Sequence, residues 1–145
     1  MRGIADTGFL LAYANRRDDY FQWAYALAEH IHEPLLTCEC VLAETAYHLR
    51  NSSLVLRLIE TGLVRVAFDI ESHRRELAQL AQRYADRQPD LADLCLIRMS
   101  ELNPKLPVIT VDGDFRIYRR NRRETIPVIM PPQCDSAETG SQAIQ

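Results

Sequence analysis

Strand-like and helix-like stretches alternate along most of this chain, and two of the strand-like stretches end on an acid. Residues 2–6 (RGIAD) form a short apolar run closed by Asp6, and residues 107–112 (PVITVD) repeat the pattern with Asp112. Further strands are expected at 35–37 (LLT), at 63–69 (LVRVAFD), where branched and aromatic residues alternate, and at 126–130 (IPVIM). Between them, apolar residues recur every three to four positions over 9–14, 20–31, 38–49, 54–60, 72–87 and 91–102, which predicts helices. Thr7-Gly8 reads as a turn, Thr37 as the cap of the third helix, and Gly62 as the stop of the fourth. Such alternation implies an α/β fold with a central, mostly parallel sheet covered on both faces. In open parallel sheets, sites form outside the carboxyl ends of the strands where the strand order reverses. Asp6 and Asp112 are expected there, on neighbouring strands.

One folded domain is expected over 1–131, because 145 residues suit one core and no linker or repeat divides them. From residue 132 to 145 the chain turns small and polar, which predicts a flexible tail. No apolar run approaches the roughly 20 residues of a membrane span, and Asp6 interrupts any secretory pattern at the start. A cytoplasmic protein is expected. Cys38, Cys40, Cys95 and Cys134 form no C-x-x-C pair, and three lie in apolar stretches where cysteine acts as a small hydrophobe. His30 and His32, two apart, point in different directions on a helix.

Four acids stand in apolar surroundings rather than on polar faces: Asp6, Glu44, Asp93 and Asp112. Carboxylates are seldom buried without a partner. A pair about 5 Å apart repels by roughly 3 kcal/mol at an effective dielectric near 20. A cluster of them either takes up protons or recruits a cation. Oxygen-only ligands favour Mg²⁺ or Mn²⁺ over Zn²⁺, and such a site suits hydrolysis of a phosphodiester. Thr7 and Thr110 each sit beside one of these acids, where a hydroxyl can orient a carboxylate or a water.

The segments IADTGFLLAYA, CVLAETAYHL, DLADLCLIRMSE and VITVDGDF, in that order over residues 2–131, resemble the PIN domain, the nuclease fold of VapC-type toxins and RNA-processing enzymes. The resemblance falls on Asp6 with Thr7, on Glu44, on Asp93 with Asp90 a turn earlier, and on Thr110, Asp112, Asp114 and Phe115. It implies a three-layer α/β/α fold, Mg²⁺ or Mn²⁺ as cofactor, RNA as substrate, and in many members silencing by a small antitoxin. On it, Asp6, Glu44, Asp93 and Asp112 are the expected catalytic residues, with Asp6, Asp93 and Asp112 on the metal. A PIN-like module that binds RNA or protein without cutting is the alternative, but none of the four acids is missing.

The net charge of −3 argues against a chain-wide polyanion surface. Clustering matters more. The run RIYRRNRR (116–123) holds five arginines in eight residues. It follows the last acidic motif, so Arg116, Arg119 and Arg120 are expected to meet RNA phosphates, with Tyr118 stacking on a base. Arg16 and Arg17 are further candidates for the same cleft. Tyr20, Phe21, Trp23 and Tyr25 crowd one early helix, where two should pack on the core and the rest could serve a homodimer or an antitoxin. Asp6-Thr7-Gly8 matches the aspartic-protease signature, but the strand–helix alternation is wrong for that all-β fold. A haloacid-dehalogenase phosphatase is disfavoured too, because position 8 is Gly and Lys105 is the only lysine.

Overall fold

A computed structural model describes residues 1–132; all but the first residue of the expected tail, Cys134 included, lies outside the described residues. The elements run β1 (Ile4–Ala5), α1 (Thr7–Ala14), α2 (Phe21–Ala28), β2 (Leu35–Thr37), α3 (Glu39–Leu49), α4 (Ser52–Glu60) and β3 (Val64–Val66). They continue α5 (Arg74–Arg83), α6 (Leu91–Leu102), β4 (Val108–Ile109), β5 (Arg119–Arg120), β6 (Glu124–Thr125) and β7 (Val128–Ile129). Strands β3-β2-β1-β4-β7 form one sheet in which every pair is parallel. From β1 the chain works outward through β2 to β3, then returns to the other side of β1 with β4. The order therefore reverses between β1 and β4.

That reversal is where the expected site belongs, and the backbone fixes it closely. Ile4 is in register with Val108 and Ala5 with Ile109, and the Asp6 amide donates to the Ile109 carbonyl at 3.1 Å. The central strands are fully buried, as are Phe9 and Leu10 of α1 and Leu96, Ile97 and Met99 of α6. Helix α6 is buried along most of its length, which explains its nearly continuous apolar sequence.

Several details depart from the sequence expectations. Thr7-Gly8 opens α1 instead of forming a turn, because the chain enters the helix directly from β1. A Cβ on Gly8 would lie 2.3 Å from Val111 Cγ2, so only glycine lets α1 start this close to the segment after β4. Thr37 does not cap α3: its hydroxyl donates to the Ala5 carbonyl, tying β2 to β1, and Cys38 takes the cap position. The basic segment is not a helix face. It is a short 3₁₀ turn (Gly113–Arg116) followed by a β5–β6 hairpin, with Asn121 and Arg122 both at positive φ in the bend.

Candidate active site

Three acids sit at the N-terminal ends of helical segments, which follows from the layout of a parallel sheet. Strands deliver the chain to helix starts on one edge, where unpaired N–H groups and the helix dipole favour negative charge. Asp6 precedes α1, and its Oδ1 accepts the Thr7 amide at 2.7 Å. Asp90 caps α6 by accepting the Asp93 amide at 2.9 Å. Asp112 precedes the 3₁₀ turn and accepts the Asp114 amide at 2.9 Å.

Two threonines stitch these groups together. The Thr110 hydroxyl donates to Asp6 Oδ2 at 2.6 Å and accepts the Asp112 amide at 2.9 Å, linking the ends of β1 and β4. The Thr7 hydroxyl donates to Glu44 Oε2 at 2.7 Å, bringing in the middle of α3. Both threonines are buried. Each hydroxyl thus holds one oxygen of a carboxyl group, Thr110 that of Asp6 and Thr7 that of Glu44.

The four expected acids act on one another electrically. Burial pushes the Asp6 carboxyl up to about 6, against the lowering effect of its bonds from Thr110 and Thr7, and the charges of Asp112 and Glu44 add to the rise. Asp93 goes further, up to about 8, from burial first and then from the charges of Asp90, Asp6, Asp112 and Glu44. Asp112 is raised by burial and by Asp114 and Asp90. Each of these carboxyls is thus raised in part by the negative charge of its neighbours.

Neighbouring acids differ in burial. Asp90 is exposed and occupied with capping, whereas Asp93 is half-buried one turn deeper and feels all the others. Asp112 is half-buried at the start of the 3₁₀ turn, three residues past the end of β4 and not on the strand as expected, whereas Asp114 is exposed. As placed, however, no group of three or more His, Cys, Asp or Glu side chains among the described residues could hold a metal ion. The acids converge on one region without forming a closed cage. Mg²⁺ keeps several waters and is commonly held by one or two carboxylates. The residues fit a hard divalent cation in donor type and in charge.

The arginine-rich segment needs the larger correction. Arg120 is only 4% exposed. Its guanidinium donates to the Ser100 carbonyl and hydroxyl, the Pro104 carbonyl and Glu124, locking the hairpin onto the end of α6. Its Nε is the one buried side-chain polar atom without a partner among the described residues. Arg120 is a packing residue and does not face RNA. Tyr118 is likewise buried, with its ring 5.1 Å from Tyr84 and 5.4 Å from Phe115, so it offers no face to a base. Arg119 is half-buried and donates through Nη1 to the carbonyls of Arg116, Ile117 and Tyr118. Arg116 is half-buried with its Nε on the Met130 sulfur, whereas Arg122 and Arg123 are exposed, as are Arg16 and Arg17.

The sequence pattern marks Gly8 as a turn and misses that its missing Cβ allows the approach of α1 to Val111. It also passed over the meeting of cysteines from two elements: Cys38 at the start of α3 and Cys95 of α6 are both buried and close enough to act on each other's thiol. Both are buried, as expected of small hydrophobes, and Cys38, Cys40 and Cys95 are free thiols. Of the aromatic cluster, Tyr20 and Trp23 pack against the core, while Tyr25 is exposed.

Acids gathered at the reversal of a parallel α/β sheet are what the fold and the site have in common, and comparison with known proteins shows the family. The PIN domain profile matches residues 4–121, and the chain belongs to the PIN-domain family, a ribonuclease family. Among solved structures it is similar to the Mycobacterium tuberculosis toxin VapC20, described as cleaving the sarcin-ricin loop. The TM-score is 0.71 at 20% identity, over 88% of this chain and 100% of that one. None of the functionally curated proteins matches the chain. No helix among the described residues is long and apolar enough to cross a membrane.

Proposed function

We propose that this chain is an Mg²⁺- or Mn²⁺-dependent endoribonuclease and the toxin of a toxin–antitoxin pair, acting in the cytoplasm as a homodimer. The observation that carries the reading is the mutual charge of Asp6, Glu44, Asp93 and Asp112 at the sheet reversal. The family supports RNA as substrate, and the toxin fold of the structural neighbour supports an antitoxin partner. A module that binds without cutting is not favoured, because all four acids are present.

Asp6, Asp93 and Asp112 would hold the cation. When bound, it supplies positive charge against the scissile phosphate and lowers the pKa of water in the site. Thr110 fixes Asp6 and the Asp112 backbone to each other, so the ends of β1 and β4 present their carboxylates as a unit. Thr7 holds one oxygen of Glu44 and leaves the other to orient water and accept its proton during attack on phosphorus. Arg116 and Arg119, half-buried beside the last acid, are kept as candidates for phosphate contact; Arg120 is withdrawn.

The test is cleavage of single-stranded and structured RNA with Mn²⁺, with Mg²⁺ and with a chelator. Metal-dependent internal cuts are expected. Cleavage that persists undiminished in chelator would overturn the proposal.

A further inference from the structure

Beside the acids, an apolar shelf lies open to solvent. A shallow groove of about 410 Å³ between α3 and the start of α6 is lined by Ala43, Tyr47, Leu91 and Ala92, with Glu44 and Asp90 at its polar edge. A second groove, of about 580 Å³, shares Ala43 and Tyr47 and ends at Arg50 and Ser52. Tyr47 is the divide between them. Its ring is 77% exposed, the most open of the large hydrophobic side chains among the described residues, and Leu91 is 49% exposed. The His48 ring, also exposed, stands 5.5 Å away at 72° to it.

Along α3 the chemistry changes in order. Glu44 belongs to the acids, Tyr47 lies about 4.5 Å farther along the axis, and Arg50 about 9 Å farther, at 1.5 Å per residue. Carboxylate, aromatic face and guanidinium follow each other from the site outward. Arg50 closes the helix at φ 53, a left-handed residue whose side chain is exposed. We propose that this series is the track of a single RNA strand: the nucleotide flanking the scissile phosphate stacks its base on Tyr47, and its outer phosphate meets Arg50. The inference rests on the ribonuclease reading and adds where the substrate lies. The groove next to the acids has no cation of its own on its walls, so it suits a base and not a phosphate, and an exposed aromatic ring takes any base because every base has a π-face. The positive charge comes one step later, where the next phosphate falls.

Cleavage of a single-stranded RNA pool carrying 2-aminopurine tests this in Tyr47→Ala, Tyr47→Phe and Arg50→Asn. Loss of the ring should raise KM at least about fivefold, the lower end of base–aromatic stacking, with a smaller change in kcat. Tyr47→Phe keeps the face and should behave as wild type. Asn tolerates positive φ, so Arg50→Asn should fold and lower the salt slope of binding by about one phosphate contact. Equal melting temperatures of wild type and variants show that folding is not the cause. If the wild type cuts and Tyr47→Ala has an unchanged KM, the track is overturned, the ribonuclease stands, and the shelf belongs to a protein partner. If the wild type binds the pool with Tyr47-dependent quenching of 2-aminopurine but never cuts, the ribonuclease reading falls and the stacking site stands. A Tyr47→Phe variant as weak as Tyr47→Ala would also overturn stacking.

Discussion

The acids and the arginines make opposite use of sequence distance. Asp6, Glu44, Asp93 and Asp112 are scattered over more than a hundred positions, yet the parallel sheet and its helix starts bring them within reach of each other's charge. The five arginines of 116–123 are adjacent in sequence, yet the fold disperses them: Arg120 is buried, Arg119 is half-committed to carbonyls, and Arg122 and Arg123 stand on a bend. Proximity in sequence is weak support for a shared site. An unexplained charge in an apolar context is stronger, because burying a charge costs free energy that something must offset.

Exchanging a residue of each group should separate their roles. Asp6→Asn keeps the shape and the Thr7 contact but removes charge at the centre of the acids. Its kcat for RNA is expected to fall by roughly 10²-fold or more, with the variant still folded in thermal melts. Unimpaired cleavage by a folded Asp6→Asn would remove Asp6 from the site. Arg120→Ala should do the reverse. It leaves the acceptors of Ser100 and Pro104 unpaired, a loss of about 2–3 kcal/mol, while activity per folded molecule is retained. Denaturant titration alongside single-substrate kinetics reads both, and a large KM increase without loss of stability would restore Arg120 to the RNA surface.

A smaller effect is expected at Gly8. Gly8→Ala places a methyl against Val111, which should cost about 1–3 kcal/mol as overpacking and disturb the Asp6–Thr110 alignment. Wild-type stability and kcat together in that variant would mean that the approach of α1 to β4 is not tightly set.

The pH behaviour sharpens the contrast further. Asp93 is pushed up to about 8 and Asp6 to about 6, both above the ordinary value of 3.8. The folded protein therefore binds protons more tightly than the unfolded chain does. Without metal, the contribution of these groups to stability should decline as pH rises from about 4 to about 8. Replacing Asp93 by Asn should flatten that decline, since the neutral side chain does not titrate and part of the repulsion is gone. Thermal melts of both proteins in chelator, from pH 5 to pH 8.5, check the sign. Parallel profiles would mean that Asp93 is not the titrating group.

The acids that act on one another stand out in the sequence because they are anomalies, carboxylates among Ile, Leu and Val. Helix α6 and strand β2 fall at the expected bounds, since a long apolar period and a short branched run are each unambiguous. What the sequence conceals is long-range. Arg120 finds its acceptors 16 and 20 residues away. The β5–β6 hairpin has two-residue strands without alternation, and Tyr118 looks available beside arginines while its ring turns inward onto Tyr84. Gly8 reads as a turn because its real constraint is a neighbour beyond β4.

The central claim is that these acids form a cation site that cuts RNA, and a Mn²⁺ titration tests it most directly. Melting temperature and RNA cleavage are followed together at pH 8 in the wild type and in Asp93→Asn. A ligand that binds only the folded state stabilises it by about 2.7 kcal/mol at a hundred times its Kd. The account predicts that melting temperature and cleavage rise over the same Mn²⁺ range in the wild type, and that both responses are largely lost in Asp93→Asn. A wild-type melt indifferent to Mn²⁺, or an Asp93→Asn protein that responds to the metal as the wild type does, would contradict it.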